Sequence, residues 1–395
     1  MNDDFSFNEE AYEELGHPYV GAQVLWSMFF DYASYTSALV WMALFGYGQL
    51  KESLTKLWAR RKSDSHEISE QYTDQLSILQ RSYKEVPVWW YAALFSFTFI
   101  VLVTITASGH LFIPVWTTFV AMATGAIVVT PLGWLYALSN FQLVGCPVLL
   151  SFLILLTSQA IGSTNELLYG LMVNAVNGHK NPAGASVYGS IAGDAWYRAQ
   201  LQLQDMKIGH YMHVPPKAVF FSQIFGSFIG VPINYAVLKW VISSKFDYIT
   251  GEVDDPTHQW TGQELASSLT LGVQYVLLGP KRLFEIDMFR PVPYGFLLGL
   301  VAPFLVFALH RLFPKIKFRL FNTTILFSSM SSFYGNISTG YFSSLLGGFV
   351  VMFWAYRRRY EMWARWNYIL AAAFDAGFNV SSSRLSQLYQ GVWLT

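Results

Sequence analysis

The sequence predicts an all-α fold, a polytopic integral membrane protein with about ten transmembrane helices plus a re-entrant segment. Three observations lead there. Of 395 residues, 53% are hydrophobic and only 13% charged, whereas a soluble domain carries about 25% charged residues. Several apolar runs exceed the ~18 residues at which a helix becomes long enough to cross a bilayer. Basic residues gather in the gaps between those runs, at residues 51–62, 207–217, 310–319 and 357–365. If each segment crosses once, these clusters all fall on the cytoplasmic side, as the positive-inside rule requires.

Taken in order, residues 1–17 are acidic, with no Lys or Arg before Lys51, which puts the N-terminus outside. They lack the basic-then-apolar pattern of a cleavable leader, so the first spanning helix, 19–47, is expected to act as the insertion signal. The hydrophilic loop 51–87 is cytoplasmic and expected to hold a short helix on the membrane surface. Segments 88–108 and 111–137 form a hairpin, and a fourth runs from about 142 to 163. Residues 167–184, broken by glycine, asparagine and Pro182, read as the re-entrant piece. A helix over 186–203 leads to a basic, proline-bounded turn at 207–217, and a long segment follows at 218–242. The stretch 244–290 reads as a mixed loop whose apolar part, 265–278, lies in the interface or dips into it. Segments 292–311, 318–335, 340–356 and 366–378 complete a single membrane domain, 1–395.

Composition also excludes partners and chemistries. Charge is balanced and no basic, aromatic-interleaved patch exists, so no nucleic acid is expected. The single Cys146 rules out an intramolecular disulfide framework or a thiolate metal site. No serine, histidine and acid grouping and no phosphate-binding glycine loop stands out, so neither an enzyme nor a cofactor is predicted.

Region 158–217 is the expected functional centre, because it sets Asn165, Glu166, Asn174, Asn177, Asp194 and Arg198 among hydrophobic runs. Polar groups at membrane depth are costly and are tolerated where they line a cavity or bury against protein. Glu166 is the sharpest residue. A carboxyl there can take up and release a proton as a cavity opens to alternate sides, or it caps a helix piece and bonds Asn165 in a structural network. Asp194 and Arg198, four apart, face one another, either as a buried ion pair or as partners for the two termini of a zwitterionic ligand. The asparagines suit peptide amides and carbonyls, or satisfy loose backbone ends. Tyr188 and Tyr197 line a cavity or pack in the core. Asp31 and Asp375 are further embedded acids with the same two readings, helix contact or site. Pro215 and Pro216 end the preceding helix and, with His210, His213 and Lys217, make a structural anchor or a cytoplasmic gate.

The run Asp205-Met-Lys-Ile-Gly-His-Tyr-Met-His-Val-Pro-Pro-Lys217 resembles the DLKLGHYMKIPPR-like signature of the oligopeptide transporter family. The tail Trp366-Asn-Tyr-Ile-Leu-Ala-Ala-Ala-Phe-Asp-Ala-Gly377 is similar to that family's NYVLSAALDAG-like ending. Residues 6–14 with Pro18-Tyr19 resemble the segment that opens the family's second half, and Ser158-Gln-Ala-Ile161 and Tyr188-Gly189 fit as well. The Glu-Leu-Leu-Tyr and His-Lys-Asn-Pro-Ala-Gly variants look most like a fungal branch. The resemblance covers almost the whole chain. It implies proton-coupled symport of small peptides, such as tetra- or pentapeptides or glutathione, across the plasma membrane or, alternatively, a vacuolar or other endomembrane. Glu166 and Asp194 are then the proton-coupling residues. Asn165, Glu166, Asn174, Asn177, Tyr188, Asp194, Tyr197 and Arg198 are substrate contacts, and His213, Pro215, Pro216 and Lys217 the gate. Departures are the missing N-terminal half with its NPG-type motif, His213 and Val214 where Lys and Ile are usual, and asparagines where the family often has an acid. Alternatives are transport of metal–chelates, as in the yellow-stripe branch, or a truncated half that transports nothing or works only beside a separate N-terminal half.

Overall fold

The computed structural model describes residues 7–60, 75–80, 82–139, 159–176, 180–255, 260, 262, 269–331, 342–343 and 345–392, and among these the regular elements are all helices. Helix α1 (Glu9–Leu15) is capped by Asn8, whose side chain accepts from the Ala11 N–H. Helix α2 (Ala22–Trp41) runs through a π turn at Met42–Gly46 into α3 (Tyr47–Arg60). Lys51, Lys56 and Arg60 therefore extend the first helix rather than open a loop. The short helix expected within 51–87 is α4 (Gln75–Gln80). Helices α5 (Val88–Ala107) and α6 (Val115–Ser139) occupy the two segments of the predicted hairpin. Of the fourth segment, residues 142–158 with Cys146 lie outside the described residues.

The first correction concerns the re-entrant piece. Residues 159–176 form one uninterrupted helix, α7 (Gln159–Val176), with Asn165 and Glu166 in its interior. The chain departs from helix at Lys180–Asn181, where Pro182 starts α8 (Ala183–Gly189). Helix α8 continues through a π turn at Ser190–Asp194 into α9 (Ala195–Tyr211). Glycines 170 and 184 do not break their helices. Instead they give neighbouring groups room: a side chain on Gly184 would strike Tyr169, and one on Gly170 the Tyr275 carbonyl.

The second correction is the stretch read as a mixed loop. Helix α10 (Pro216–Thr250) extends seven residues past 243 and ends at Gly251, whose φ of 79° is the left-handed conformation that favours glycine. Then comes a short, deeply buried helix, α11 (Leu269–Leu278), with Gln274, Tyr275, Val276, Leu277 and Leu278 all inaccessible. Its backbone lies directly against α7 and the Asn181–Pro182 link, since a side chain on Gly272 would run into the Pro182 carbonyl. The stretch 269–278 is therefore a short apolar helix packed inside the protein. Sequence periodicity misjudged it because ten residues are too few to separate a core helix from an interfacial one.

Helices α12 (Pro280–Glu285), α13 (Tyr294–Leu312), α14 (Thr323–Ser331), α15 (residues 345–358) and α16 (Tyr360–Val392) complete the described elements. The last runs well beyond the expected 366–378. By length and composition, four described helices can cross a membrane: α5, α6, α10 and α13.

Helix α2 is the central post. Against α13 it packs backbone to backbone: a side chain on Gly299 would meet the Ala33 carbonyl, Thr36 Oγ1 donates to the Phe296 carbonyl at 3.1 Å, and the Tyr32 and Phe296 rings stack at 4.5 Å. Small residues at such crossings replace the hydrophobic drive that lipid removes. Against α14 it uses hydroxyls, with Ser37 Oγ 2.8 Å from Thr323 Oγ1 and 3.1 Å from Thr324 Oγ1. Its remaining faces meet α6 and α7.

The outer helices contrast with this. The apolar windows of α5 and α10 are buried nowhere in the protein, and Phe95, Phe97, Ile100, Phe225, Phe228 and Trp240 are all exposed. Apolar surface of that extent marks an interaction face, here of the kind a bilayer covers.

Candidate functional site

Two apolar clusters share the middle of the protein. One gathers Met28, Tyr32, Leu167, Tyr275 and Leu283; the other gathers Ala121, Tyr169, Val173, Tyr188 and Val276. Helices α7 and α11 contribute to both, and between their apolar faces they carry a set of buried polar side chains. Thr164, Asn165, Glu166 and Gln274 are all buried, with Asn165 only 1% exposed and Glu166 8%. Asp31 joins them from α2 at 4% exposure.

Their hydrogen bonds divide the set. Asp31 Oδ2 accepts from the Ser163 hydroxyl and, at 3.3 Å, from Thr164 Oγ1. The Tyr32 and Tyr275 phenols bond one another at 2.8 Å and lie in the field of both Asp31 and Glu166. By contrast Glu166 Oε2, Asn165 Nδ2 and both amide atoms of Gln274 make no hydrogen bond to the protein. A buried polar group left without a partner costs about 1–3 kcal/mol, and native folds seldom tolerate several together unless something else meets them. Among the described residues neither carboxylate has an ion-pair partner. Glu166 also abuts α8, its Cγ lying 3.6 Å from where a side chain on Gly189 would begin.

The other residues singled out from the sequence fall elsewhere or are already engaged. Asn174 donates through Nδ2 to the Gly170 carbonyl at 2.8 Å and to the Tyr275 and Val276 carbonyls at 3.3 and 3.1 Å, and accepts from Lys180 Nζ at 2.8 Å. It stitches α7 to the end of α11, and of its two readings the structure realises the backbone one. Asn177 lies outside the described residues. Tyr188 is fully buried, its ring 5.4 Å from that of Tyr169 and its hydroxyl 3.4 Å from Thr124 Oγ1. Tyr197 is half-buried on α9.

Asp194 and Arg198 form the expected pair, Nε to Oδ2 at 2.9 Å, but their side chains are 27% and 56% exposed. The buried ion pair is thereby corrected: the π turn at Ser190–Asp194 ends the core-facing run Ile191–Gly193 and brings the pair out to the rim. Neither residue hydrogen-bonds Glu166.

The proline turn is also shifted. Helix α9 holds Lys207 and His210, so the turn proper is 212–215, with His213 at φ 57° and the Val214 N–H bonded to the Gly209 carbonyl at 2.9 Å. Two neighbours fasten it. Gln80 Nε2 donates to the Val214 carbonyl at 2.9 Å, and Lys217 lies 5.6 Å from the centre of the Trp90 ring. Pro215 and Pro216 open α10.

Sequence reasoning missed Ser163, Thr164, Gln274, Tyr275 and Tyr32 as members of this cluster. One signal was visible: Gln274 is the lone amide in the run Leu271-Gly-Val-Gln-Tyr-Val-Leu-Leu278, an expensive side chain in an otherwise apolar stretch.

Comparison with known proteins adds a second line. A family model described as OPT oligopeptide transporter protein matches residues 1–383. Among curated relatives, Oligopeptide transporter 7 of Arabidopsis thaliana is 27% identical over 386 residues, covering 95% of this chain and 45% of the relative. Oligopeptide transporter 3 of the same plant is 27% identical over 379 residues, covering 94% and 47%. Glutathione transporter 1 of Schizosaccharomyces pombe is 27% identical over 387 residues, covering 96% and 41%. The chain thus spans about half the length of the curated relatives it matches. No solved structure matches.

Proposed function

The chain belongs to the oligopeptide transporter family, and from that we propose that it carries small peptides, tetra- or pentapeptides or glutathione, across a membrane as a proton-coupled secondary carrier. The observation that carries this reading is the buried cluster of Asp31, Asn165, Glu166 and Gln274, polar and partly unpartnered at the meeting point of α2, α7 and α11. A peptide offers donors and acceptors in alternation, which unpaired amides and carboxyls can meet. The cluster is closed to solvent on all sides, as the occluded intermediate of alternating access would be. In the working cycle, movement of α8–α9 against α7 opens it, and Glu166 takes up a proton from one side and gives it to the other. About ten helices cross the bilayer in this reading, with the four basic clusters in the cytoplasm, and the plasma membrane is the expected location.

The names of the relatives support the substrate class: oligopeptides for the plant proteins, glutathione for the fission-yeast one. The match covers less than half of these relatives' length, so the test compares this chain alone with this chain beside a full-length relative. Labelled tetrapeptide uptake is measured in cells making this chain alone, and beside a full-length relative, with and without an uncoupler. Uptake that collapses with the proton gradient and with Glu166→Gln supports the carrier. Uptake indifferent to both removes the proton from the mechanism.

A further inference from the structure

Asp31 on α2 is hydrogen-bonded to Ser163 and Thr164 of α7, and Ser163 lies one turn from Glu166 on the same face of that helix. Among the described residues, the ionisable groups around these two acids on the packed elements are Tyr32, Tyr35, Tyr188 and Tyr275, none of which brings positive charge. Of the nearby described cations, Lys180 hydrogen-bonds Asn174 and Arg198 pairs with Asp194. Ser163 and Thr164 orient the Asp31 carboxylate from one side. Asn165 on α7 and Gln274 on α11, 1% and 3% exposed, also keep amide atoms without partners. Among the described residues the two acids therefore have no basic ion-pair partner.

We propose that Asp31 and Glu166 seat the protonated amino terminus of the substrate. This rests on the peptide-transport reading and takes the recognition of the terminus away from Asp194 and Arg198, which satisfy each other at the rim. One ammonium balances one carboxylate; the second is balanced by a proton, so ligand and proton occupy the same pair of acids. An ammonium makes up to three donor bonds, and those to a buried carboxylate are the strong, charge-assisted kind.

The test uses the purified chain in detergent and reads its thermal midpoint against tetra-alanine, N-acetyl-tetra-alanine and tetra-alanine amide. Free tetra-alanine and its amide are expected to raise the midpoint, and acetylation to weaken apparent affinity by roughly 10- to 100-fold. Asp31→Asn and Glu166→Gln are each expected to shrink that preference, and if Asp31→Asn fails to fold, Glu166→Gln and the acetylation contrast still decide. Equal protection by free and acetylated peptide overturns the proposal and leaves the transport reading standing. No protection by any peptide removes both. Protection by sodium chloride over choline chloride, with none from the peptides, would assign the acids to an inorganic cation and also overturn it.

Discussion

Two acidic places in this protein have opposite fates. Asp194, on the rim of α9, finds Arg198 one turn away, and both stay partly in contact with solvent. Glu166, in the interior of α7, is buried with an unpartnered oxygen and, among the described residues, no ion-pair partner. An exposed pair contributes about 0–1 kcal/mol and could be deleted with little effect. A buried, unpaired carboxyl works against the fold, and replacing it with an apolar side chain of similar size is often neutral or stabilising. The lesson is that stability explains the first and cannot explain the second, so the second is where a functional reason is needed.

That contrast can be broken in several ways. The largest effect is expected from Glu166→Met: peptide uptake should fall at least ~100-fold, while the thermal midpoint holds or rises. A lowered midpoint with intact uptake would make Glu166 a structural residue and erase the comparison. Next comes Gly299→Leu on α13, which forces a side chain into the Ala33 carbonyl of the post that carries Asp31. It should cost about 1–3 kcal/mol in denaturation assays, and uptake should fall only as far as folded protein is lost. Ser37→Ala removes the hydroxyl contacts between α2 and α14. About 0.6 kcal/mol, the average for such bonds between membrane helices, is the expected loss. Arg198→Ala should be smallest, below about 0.5 kcal/mol in stability, with uptake within about twofold. A large uptake defect there would return Asp194 and Arg198 to the substrate.

A separate surface pair offers an electrostatic control. Glu9 on α1 and Arg282 on α12 meet at 2.8 Å, and the Glu9 carboxylate holds the Arg282 guanidinium above its ordinary range. The raised group adds its stability wherever it is protonated, and that is lost only as pH climbs through a strongly alkaline range. Both side chains are more than half exposed, so salt should screen the contact. Glu9→Gln should change the midpoint little at physiological salt.

Much of the fold was legible in the primary structure, and the reasons are local. Val88–Ala107, Val115–Ser139 and Tyr294–Leu312 announce themselves because a bilayer demands about twenty apolar residues in a row, whatever lies beside them. Family membership was readable from the motif ending in Pro215, Pro216 and Lys217, which the match over residues 1–383 upholds. Glu166 and Asn165 stood out by cost, as polar groups in a hydrophobic run. What was not legible is equally specific. Polar interruptions around 167–184 read as a broken helix, and the chain does leave helix at Lys180–Asn181, but α7 runs unbroken to Val176, with Asn174 bonded back to the Gly170 carbonyl and across to α11. Residues 265–278 read as an apolar stretch at or dipping into the interface, yet 269–278 form a helix packed against α7.

The amino-acid order settled which segments avoid water, which residues are too costly to be there by accident, and to which family the chain belongs, since each follows from side-chain chemistry within a single window. It could not settle which acids meet. Asp31 and Glu166 are separated by more than a hundred residues, and only the packing of α2 on α7 seats Asp31 on Ser163 and Thr164, one turn from Glu166, while leaving Asp194 with Arg198 outside. Burial is a property of neighbours supplied by other helices, and no window of one helix contains them.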